Sequence, residues 1–244
     1  MKRARGSYRS TSRRYAGKQK LARQKAAFSL GRPQRAIAVY QSTGELKGVD
    51  TDISINPVLA TTTTNGGITV LNLVQQGSGS WNRVGRKIHM KSIRLIGSMA
   101  LTTTGTAAIQ NNLARMILVY DKQPTGVLPT FNAIFGRTDQ NGDDTLSNFQ
   151  DPPRYDNMGR FRVIQEWDYD MPVRPNPNGG NVVKHFDHYV KLGLETVFSG
   201  QSSPMTIADI SSGALYLITR AGINTATIFA NIQSTSMARL RYTD

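Results

Sequence analysis

The 244-residue sequence contains no cysteine, which excludes disulfide bonds and thiolate metal sites. It also has no run of 18 apolar residues, so neither a transmembrane helix nor a membrane partner is expected. The basic N-terminus lacks the apolar stretch of a secretory signal. With no covalent staple available, the chain is expected to depend on an ordinary apolar core, for which its length is sufficient.

Acidic residues are absent before Glu45, and the positive charge of the chain is concentrated there. The whole sequence has 30 Lys and Arg against 16 Asp and Glu, and 12 of those basic residues precede Glu45. Residues 45–244 keep 18 basic and 16 acidic residues, a net charge of +2. Because blocks of like charge stay solvated and commonly bind polyanions, residues 1–44 are predicted to be a disordered nucleic-acid-binding arm on a separate domain, residues 45–244.

Phosphate binding accounts for the composition of this arm, since each phosphate neutralised by Lys or Arg releases condensed counterions. Tyr8 and Tyr15 lie among the charges and are expected to stack on unpaired bases. Clusters of this kind also act as nuclear import signals, which adds a host import receptor as a partner. The alternative is a solvated tail that binds nothing. The predicted phosphate-binding residues of the arm are Lys2, Arg3, Arg5, Arg9, Arg13, Arg14, Lys18, Lys20, Arg23 and Lys25.

A second basic cluster, Arg83, Arg86 and Lys87, precedes an apolar strand-like run. It is interpreted either as part of a phosphate-contacting surface or as a turn that is charged because it is exposed.

Beyond residue 66, alternation of apolar and polar residues predicts β-strands, because the runs are rich in Val, Ile, Thr, Tyr and Phe. In one run, Phe161, Val163, Trp167, Tyr169 and Met171 are expected on a single face. The run at residues 182–198 contains Gly193 and is interpreted either as one bent strand or as two strands. Counting it as two strands gives about eight strands in total. The runs are residues 68–74, 88–101, 113–120, 160–171, 182–198, 213–220 and 226–242.

The connections favour an antiparallel arrangement. Prolines fall between the runs, short helices are expected only within residues 131–135 and 204–210, and no alternation of strands with long helices appears. Residues 36–66 are interpreted as an approach segment. The predicted fold is therefore all-β, an eight-stranded antiparallel jelly-roll sandwich.

No assembled catalytic or metal-binding constellation is evident. His185 and His188 are expected on opposite faces of a strand, as surface or interface residues, and no cofactor or zinc site is predicted. Residues 139–144 begin like a calcium loop, but the sixth position is Asp144 and the twelfth is Gln150, which excludes an EF-hand. A looser calcium site at a subunit contact stays open. Without a nucleophile elbow or a phosphate-binding loop, no enzyme is expected.

Three segments carry a resemblance to a known group: GSWNRVGRKIHMKSIRLIG at residues 79–97, VYDKQP at 119–124 and RFRVI at 160–164. They resemble coat proteins of small circular Rep-encoding single-stranded DNA viruses, the group that includes geminiviruses and genomoviruses. Geminivirus coat proteins often carry a zinc-finger-like cysteine cluster, which this chain lacks and which is not carried over.

The resemblance implies a jelly roll that self-assembles into a small icosahedral shell around circular single-stranded DNA, with the arm inside and also serving nuclear import. The implied locations are the virion and, during assembly, the host nucleus. The alternatives are a cellular nucleic-acid-binding protein with a basic extension, a jelly-roll enzyme or lectin, and the coat protein of a small RNA virus or satellite. A cellular protein of the ribosomal kind is disfavoured by the nearly neutral body.

Overall fold

The computed structural model describes residues 45–53, 58–59, 67–102, 112–138, 144–145, 151–171, 183–222 and 231–244. They lie in one compact unit, Glu45–Asp244. The helical elements are α1 (Phe131–Ile134) and two 3-10 turns, Tyr155–Asn157 and Ile207–Asp209. No helix among the described residues is long and apolar enough to cross a membrane. The strands are β1 (Lys47–Ile53), β2 (Val58–Leu59), β3 (Ile68–Val70), β4 (Lys87–Thr102), β5 (Asn112–Asp121), β6 (Arg137–Thr138), β7 (Asp144–Thr145), β8 (Phe161–Met171), β9 (Val183–Phe198), β10 (Ile210–Ser212), β11 (Ala214–Gly222) and β12 (Asn231–Thr243).

Eight of these strands form two sheets of four. The first sheet has the order β1-β12-β4-β9 and is extended by β10, and the second pairs β11 with β3 and continues to β5 and β8. Every pair within these two sets of four is antiparallel. Two interlocked Greek keys with this order make an eight-stranded jelly roll, which confirms the predicted fold.

The two sheets face each other across an apolar core. Alternate residues of β4, including Ile93 and Leu95, are buried, as are Met116 and Leu118 of β5. These positions follow the period of two that a half-buried strand requires. A polar contact also joins the sheets, because the Tyr120 hydroxyl donates to the Glu195 carbonyl at 2.6 Å.

The count of eight strands is right, but one member differs from the prediction. The run 182–198 forms a single strand, β9, in which Gly193 has φ of +62°. Its pairing with β4 shifts register between Met90 and Ser92, so Gly193 belongs to a bulge. The eighth strand is β1, inside the segment interpreted as an approach. Its sequence KGVDTDI has few apolar residues, and its pairing with β12 makes it a strand.

The expectation of one apolar face along β8 is wrong. Val163 pairs with Val119, whereas Trp167 pairs with Met116, and the register shifts between these pairs. Positions 116 and 119 of β5 are an odd number of residues apart, so they lie on opposite faces. The bulge therefore turns Phe161 and Val163 away from the face that Trp167 and Tyr169 occupy.

The connection between β5 and β8 covers the outer face of the second sheet. Ile117 and Val119 lie on this outer face and are 1% and 0% exposed. The predicted short helix is present as α1, and its Phe131 and Phe135 stack with their ring centroids 4.7 Å apart. The central strands β5 and β11 are thereby buried on both faces, whereas Glu166 and Asp168 on the outer face of β8 stay exposed.

Candidate nucleic-acid interface

The ten predicted phosphate-binding residues of the arm, from Lys2 to Lys25, and its tyrosines Tyr8 and Tyr15 lie outside the described residues. Their assignment stays a prediction. The segment interpreted as a calcium-loop start, residues 139–143, is also outside the described residues. Among the described residues, no group of three or more His, Asp or Glu side chains is placed to hold a metal ion.

Arg83 does not contact solvent, contrary to both interpretations of the second basic cluster. Its side chain is 0% exposed. The guanidinium donates from Nε to the Val74 carbonyl at 3.0 Å, from Nη1 to Gly85 at 2.7 Å and from Nη2 to Gly200 at 2.8 Å. It also lies over the Phe198 ring at 4.2 Å. Burial lowers the pKa of Arg83, but these contacts compensate the charge, so Arg83 holds two connections together and is not placed to bind phosphate.

Arg86 and Lys87 are exposed, as a surface role requires. The Lys87 ammonium is 2.5 Å from a Glu195 carboxylate oxygen, and His89 is 2.9 Å from the other oxygen. The hydrogen bond from Lys87 lowers the pKa of Glu195. Because Glu195 neutralises part of this charge, Arg86 is the member of the predicted cluster best placed to attract phosphate.

The start of β1 lies beside residues 82–84. The buried Lys47 ammonium donates to the Asn82 carbonyl at 3.1 Å and to the Asp244 carboxylate at 3.2 Å. The amide of Val84 donates to the same carboxylate at 2.5 Å. The start of β1, the last residue and residues 82–84 are therefore held together by one buried charged network.

The outer face of the first sheet, termed the bare face, has exposed charged side chains and no covering element among the described residues. The strand register places Asp50, Arg239, Arg94 and Tyr189 in one row across the four strands. All four are exposed. The adjacent row has Gly48, Arg241, Ser92 and Lys191.

Two carboxylates neutralise part of the bare face. Asp187 accepts from Arg94 Nε at 2.8 Å and Nη2 at 2.6 Å. Asp50 accepts two bonds from Arg239 at 2.7 Å each. These hydrogen bonds lower the pKa of both carboxyl groups, so both arginines are paired at neutral pH.

Arg241 and Lys191 differ from these arginines, because neither has an ion-pair partner within the described part of the chain. Arg241 lines a depression of about 470 Å³ in the bare face, and Lys191 lies beside it, opposite the lining residue Ser92 in the strand register. Tyr189 lines it and is 58% exposed. These three residues were not predicted from the sequence. The available signal was local alternation, because Tyr189 and Lys191 flank Val190, and Arg239 and Arg241 flank Leu240.

The two strand histidines lie as predicted on opposite faces of β9, but the prediction that both are surface or interface residues is wrong for His188. His185 is exposed, whereas His188 points between the sheets and stacks on Trp167 with centroids 4.7 Å apart. The Tyr169 hydroxyl is hydrogen-bonded to His188 Nε2. Burial lowers the pKa of His188 and raises that of Tyr169 to about 12, which keeps both groups neutral at pH 7.

The described residues thus form a jelly roll in which Arg83 is buried and the outer face of the first sheet carries exposed charged side chains. Residues 1–242 match the geminivirus coat protein/nuclear export factor BR1 family, and the chain belongs to that family. Membership confirms the resemblance of the three sequence segments. It defines a coat protein, a structural component of the virion rather than an enzyme.

Solved structures show only distant likeness. The infectious bursal disease virus VP2 subviral particle is 9% identical over 82% of this chain and 33% of that chain, with a TM-score of 0.27. The unassembled KI polyomavirus VP1 pentamer is 14% identical over 81% and 94% of the respective chains, with a TM-score of 0.22. The chain spans about one third of the length of the infectious bursal disease virus proteins it matches. No curated protein sequence matches the chain significantly.

Proposed function

We propose that this coat protein self-assembles into a small icosahedral shell and packages circular single-stranded DNA through residues 1–44. The division of charge carries the proposal. The first 44 residues hold 12 basic residues and no acidic one, whereas residues 45–244 have a net charge of only +2. Long-range repulsion between the shell-forming parts is therefore small, while the arms repel one another until a polyanion neutralises them.

Assembly and genome binding are coupled in this scheme. Crowding many arms within one shell is unfavourable without nucleic acid, and each phosphate contact releases counterions. Shells are expected to form readily with single-stranded DNA at moderate salt and poorly without it. The arm also directs the chain to the host nucleus through an import receptor, because Lys/Arg clusters act as such signals.

Deletion of residues 2–35 tests the role of the arm. The variant is expected to lose most affinity for single-stranded DNA and to keep the circular-dichroism spectrum of a β-protein. A control of full length has the ten listed Lys and Arg residues of the arm replaced by Gln, which separates charge from length. The logarithm of the binding constant of the native chain should fall by about 0.7 per neutralised phosphate for each tenfold rise in salt. Unchanged affinity in either variant contradicts the proposal.

Electron microscopy and nuclease digestion test the shell and its contents. The native chain is expected to give uniform closed particles whose nucleic acid is degraded by DNase after the particles are opened. A stable monomer at low and high salt with DNA present contradicts assembly. Nucleic acid sensitive only to RNase favours the alternative, the coat protein of a small RNA virus. A fluorescent fusion is expected to lose nuclear accumulation when residues 2–35 are deleted.

A further inference from the structure

We propose that the bare face of the first sheet is a second single-stranded DNA site, in which Tyr189 stacks on a base while Arg241 and Lys191 bind the flanking phosphates. The proposal rests on the proposed function and extends it, because it assigns genome contacts to the shell domain itself. It also orients the subunit, with the first sheet toward the genome.

The geometry matches what unpaired nucleic acid requires. Single strands bind where aromatic side chains offer stacking platforms beside cations that follow the backbone. Tyr189 and Lys191 lie two residues apart on β9 and project from the same face, about 7 Å apart along the strand. Arg241 lies two strands away through Ser92, about 10 Å across the sheet from Lys191.

The floor of the depression permits close approach. Ser92 lies between Arg241 and Lys191 in the register and is only 4% exposed. Its side chain is short, so the longer side chains around it form a rim, with Ile96 adding an apolar contact. A base stacked on Tyr189 would thus have apolar surface beneath it and cations beside it.

The charge balance favours a polyanion over a second copy of the chain as the occupant. Across three adjacent rows of the bare face, the four cations Arg94, Arg239, Arg241 and Lys191 stand against the three carboxylates of Asp50, Asp52 and Asp187, an excess of one positive charge. In contrast, Val127 and Met158, which are 65% and 53% exposed, lie in the connection between β5 and β8 and suit contacts between copies. Because Arg241 and Lys191 have no acidic partner in the described residues, phosphate is the ligand that would neutralise them.

Crosslinking locates the contact directly. The probe is a single-stranded oligodeoxynucleotide that contains 5-iododeoxyuridine, irradiated with the full chain and in a second arm with assembled particles. A crosslink is expected in the tryptic peptide that covers residues 185–191, at Tyr189. A fully paired duplex of the same sequence is expected to give no crosslink there, because its bases are not free to stack.

Matched variants of the full chain measure the contribution of each residue. Tyr189→Ala is expected to weaken single-strand binding on the order of tenfold and to leave duplex binding unchanged, whereas Tyr189→Phe keeps the native affinity. Tyr155→Ala is the control, since Tyr155 is 87% exposed in the connection that covers the second sheet. Arg241→Gln with Lys191→Gln is expected to reduce the salt slope by about 1.4, and Arg162→Gln on β8 is its control.

One variant is expected to gain affinity. Asp187→Asn removes the carboxylate that pairs with Arg94, which frees that guanidinium for phosphate and should strengthen single-strand binding several-fold. Weaker DNA binding by Tyr189→Ala together with stronger DNA binding by Asp187→Asn would not be explained by altered folding, because the two residues are neighbours on β9.

The outcomes separate this proposal from the proposed function. Absence of a crosslink at residues 185–191, with Tyr189→Ala and Asp187→Asn binding like the controls, overturns the second site while arm-dependent binding stands. Variants that prevent shell formation but bind DNA normally also overturn it and identify the bare face as a contact between copies. Failure of the arm deletion to reduce binding contradicts the proposed function instead.

Discussion

The two sheets of this coat protein are similar in strand number but opposite in their outer faces. The second sheet is covered by the connection between β5 and β8, so Ile117 and Val119 are buried on its outer side. The first sheet presents Arg94, Tyr189 and Arg239 to solvent. The covered face is therefore expected to contribute mainly to stability, and the bare face mainly to binding.

The arginines of the two sheets repeat this contrast. Arg220 of the second sheet is 3% exposed and lies over the Phe131 ring, and burial lowers its pKa. Arg239 of the first sheet is exposed and paired with Asp50, which raises its pKa. A buried guanidinium is fixed by its packing and hydrogen bonds, whereas a surface ion pair is worth little and can exchange its carboxylate for another anion.

The largest effect is expected from the cover of the second sheet. Phe135 is 1% exposed and stacked on Phe131, so Phe135→Ala should lower the free energy of unfolding by about 3–5 kcal/mol through lost burial and a cavity. Tyr189→Ala on the bare face should change it by no more than about 0.5 kcal/mol. Urea denaturation of both variants measures the difference. An equal loss of stability in the two variants would contradict the different roles assigned to the two sheets.

Most of the architecture was predictable, because it depends on a local pattern. The period of two located β4, β5, β8, β9, β11 and β12, and the absence of long helical segments fixed the antiparallel class. The β-bulges were not predictable. A bulge in β8 reverses the faces of Val163 and Trp167, and it is set by pairing with β5, which no local signal reports.

The candidate site was less predictable than the fold for a related reason. Arg83 and Arg86 are three residues apart in one basic segment, yet one is fully buried and the other exposed. The difference arises from the carbonyls of Val74, nine residues earlier in the same connection, and of Gly200, which comes from another connection. Likewise, Arg241 and Lys191 are far apart in the sequence, and only the register of β12, β4 and β9 places them on either side of Ser92. Composition identifies cations, but tertiary structure decides which of them are available to a ligand.

Replacing a buried and an exposed arginine tests this distinction, with an expected change in stability smaller than that of Phe135→Ala. Arg83→Met should lower the free energy of unfolding by about 2–4 kcal/mol, because three backbone carbonyls lose their donor. Arg86→Met should leave stability within about 0.5 kcal/mol and weaken DNA binding slightly. Denaturation and binding of the two variants are compared side by side. If the Arg83→Met protein is as stable as the native chain but binds DNA more weakly, Arg83 contributes to DNA binding and the structural role is wrong.

The smallest effect is expected at the interface between the sheets, where pH should act through His188. Burial lowers its pKa below the ordinary value of 6.5, so the unfolded chain binds a proton at a higher pH than the folded chain does. Stability should therefore fall as pH drops from about 6.5 toward the pKa of the folded state, by about 1.4 kcal/mol for each unit that separates the two pKa values.

The surrounding groups define the window for this measurement. Trp167, Tyr169 and Phe186 face His188 without charge, and Asp187 beside it on β9 keeps a lowered pKa through Arg94, so it stays ionised well below this range. Denaturation midpoints of the native chain at pH 7.5 and 5.5 are compared with those of His188→Gln, which should lose most of the difference. His185→Gln, on the bare face of the same strand, should keep it. If both variants retain the native pH dependence, protons bind elsewhere, and the interior between the two sheets is not the element that senses pH.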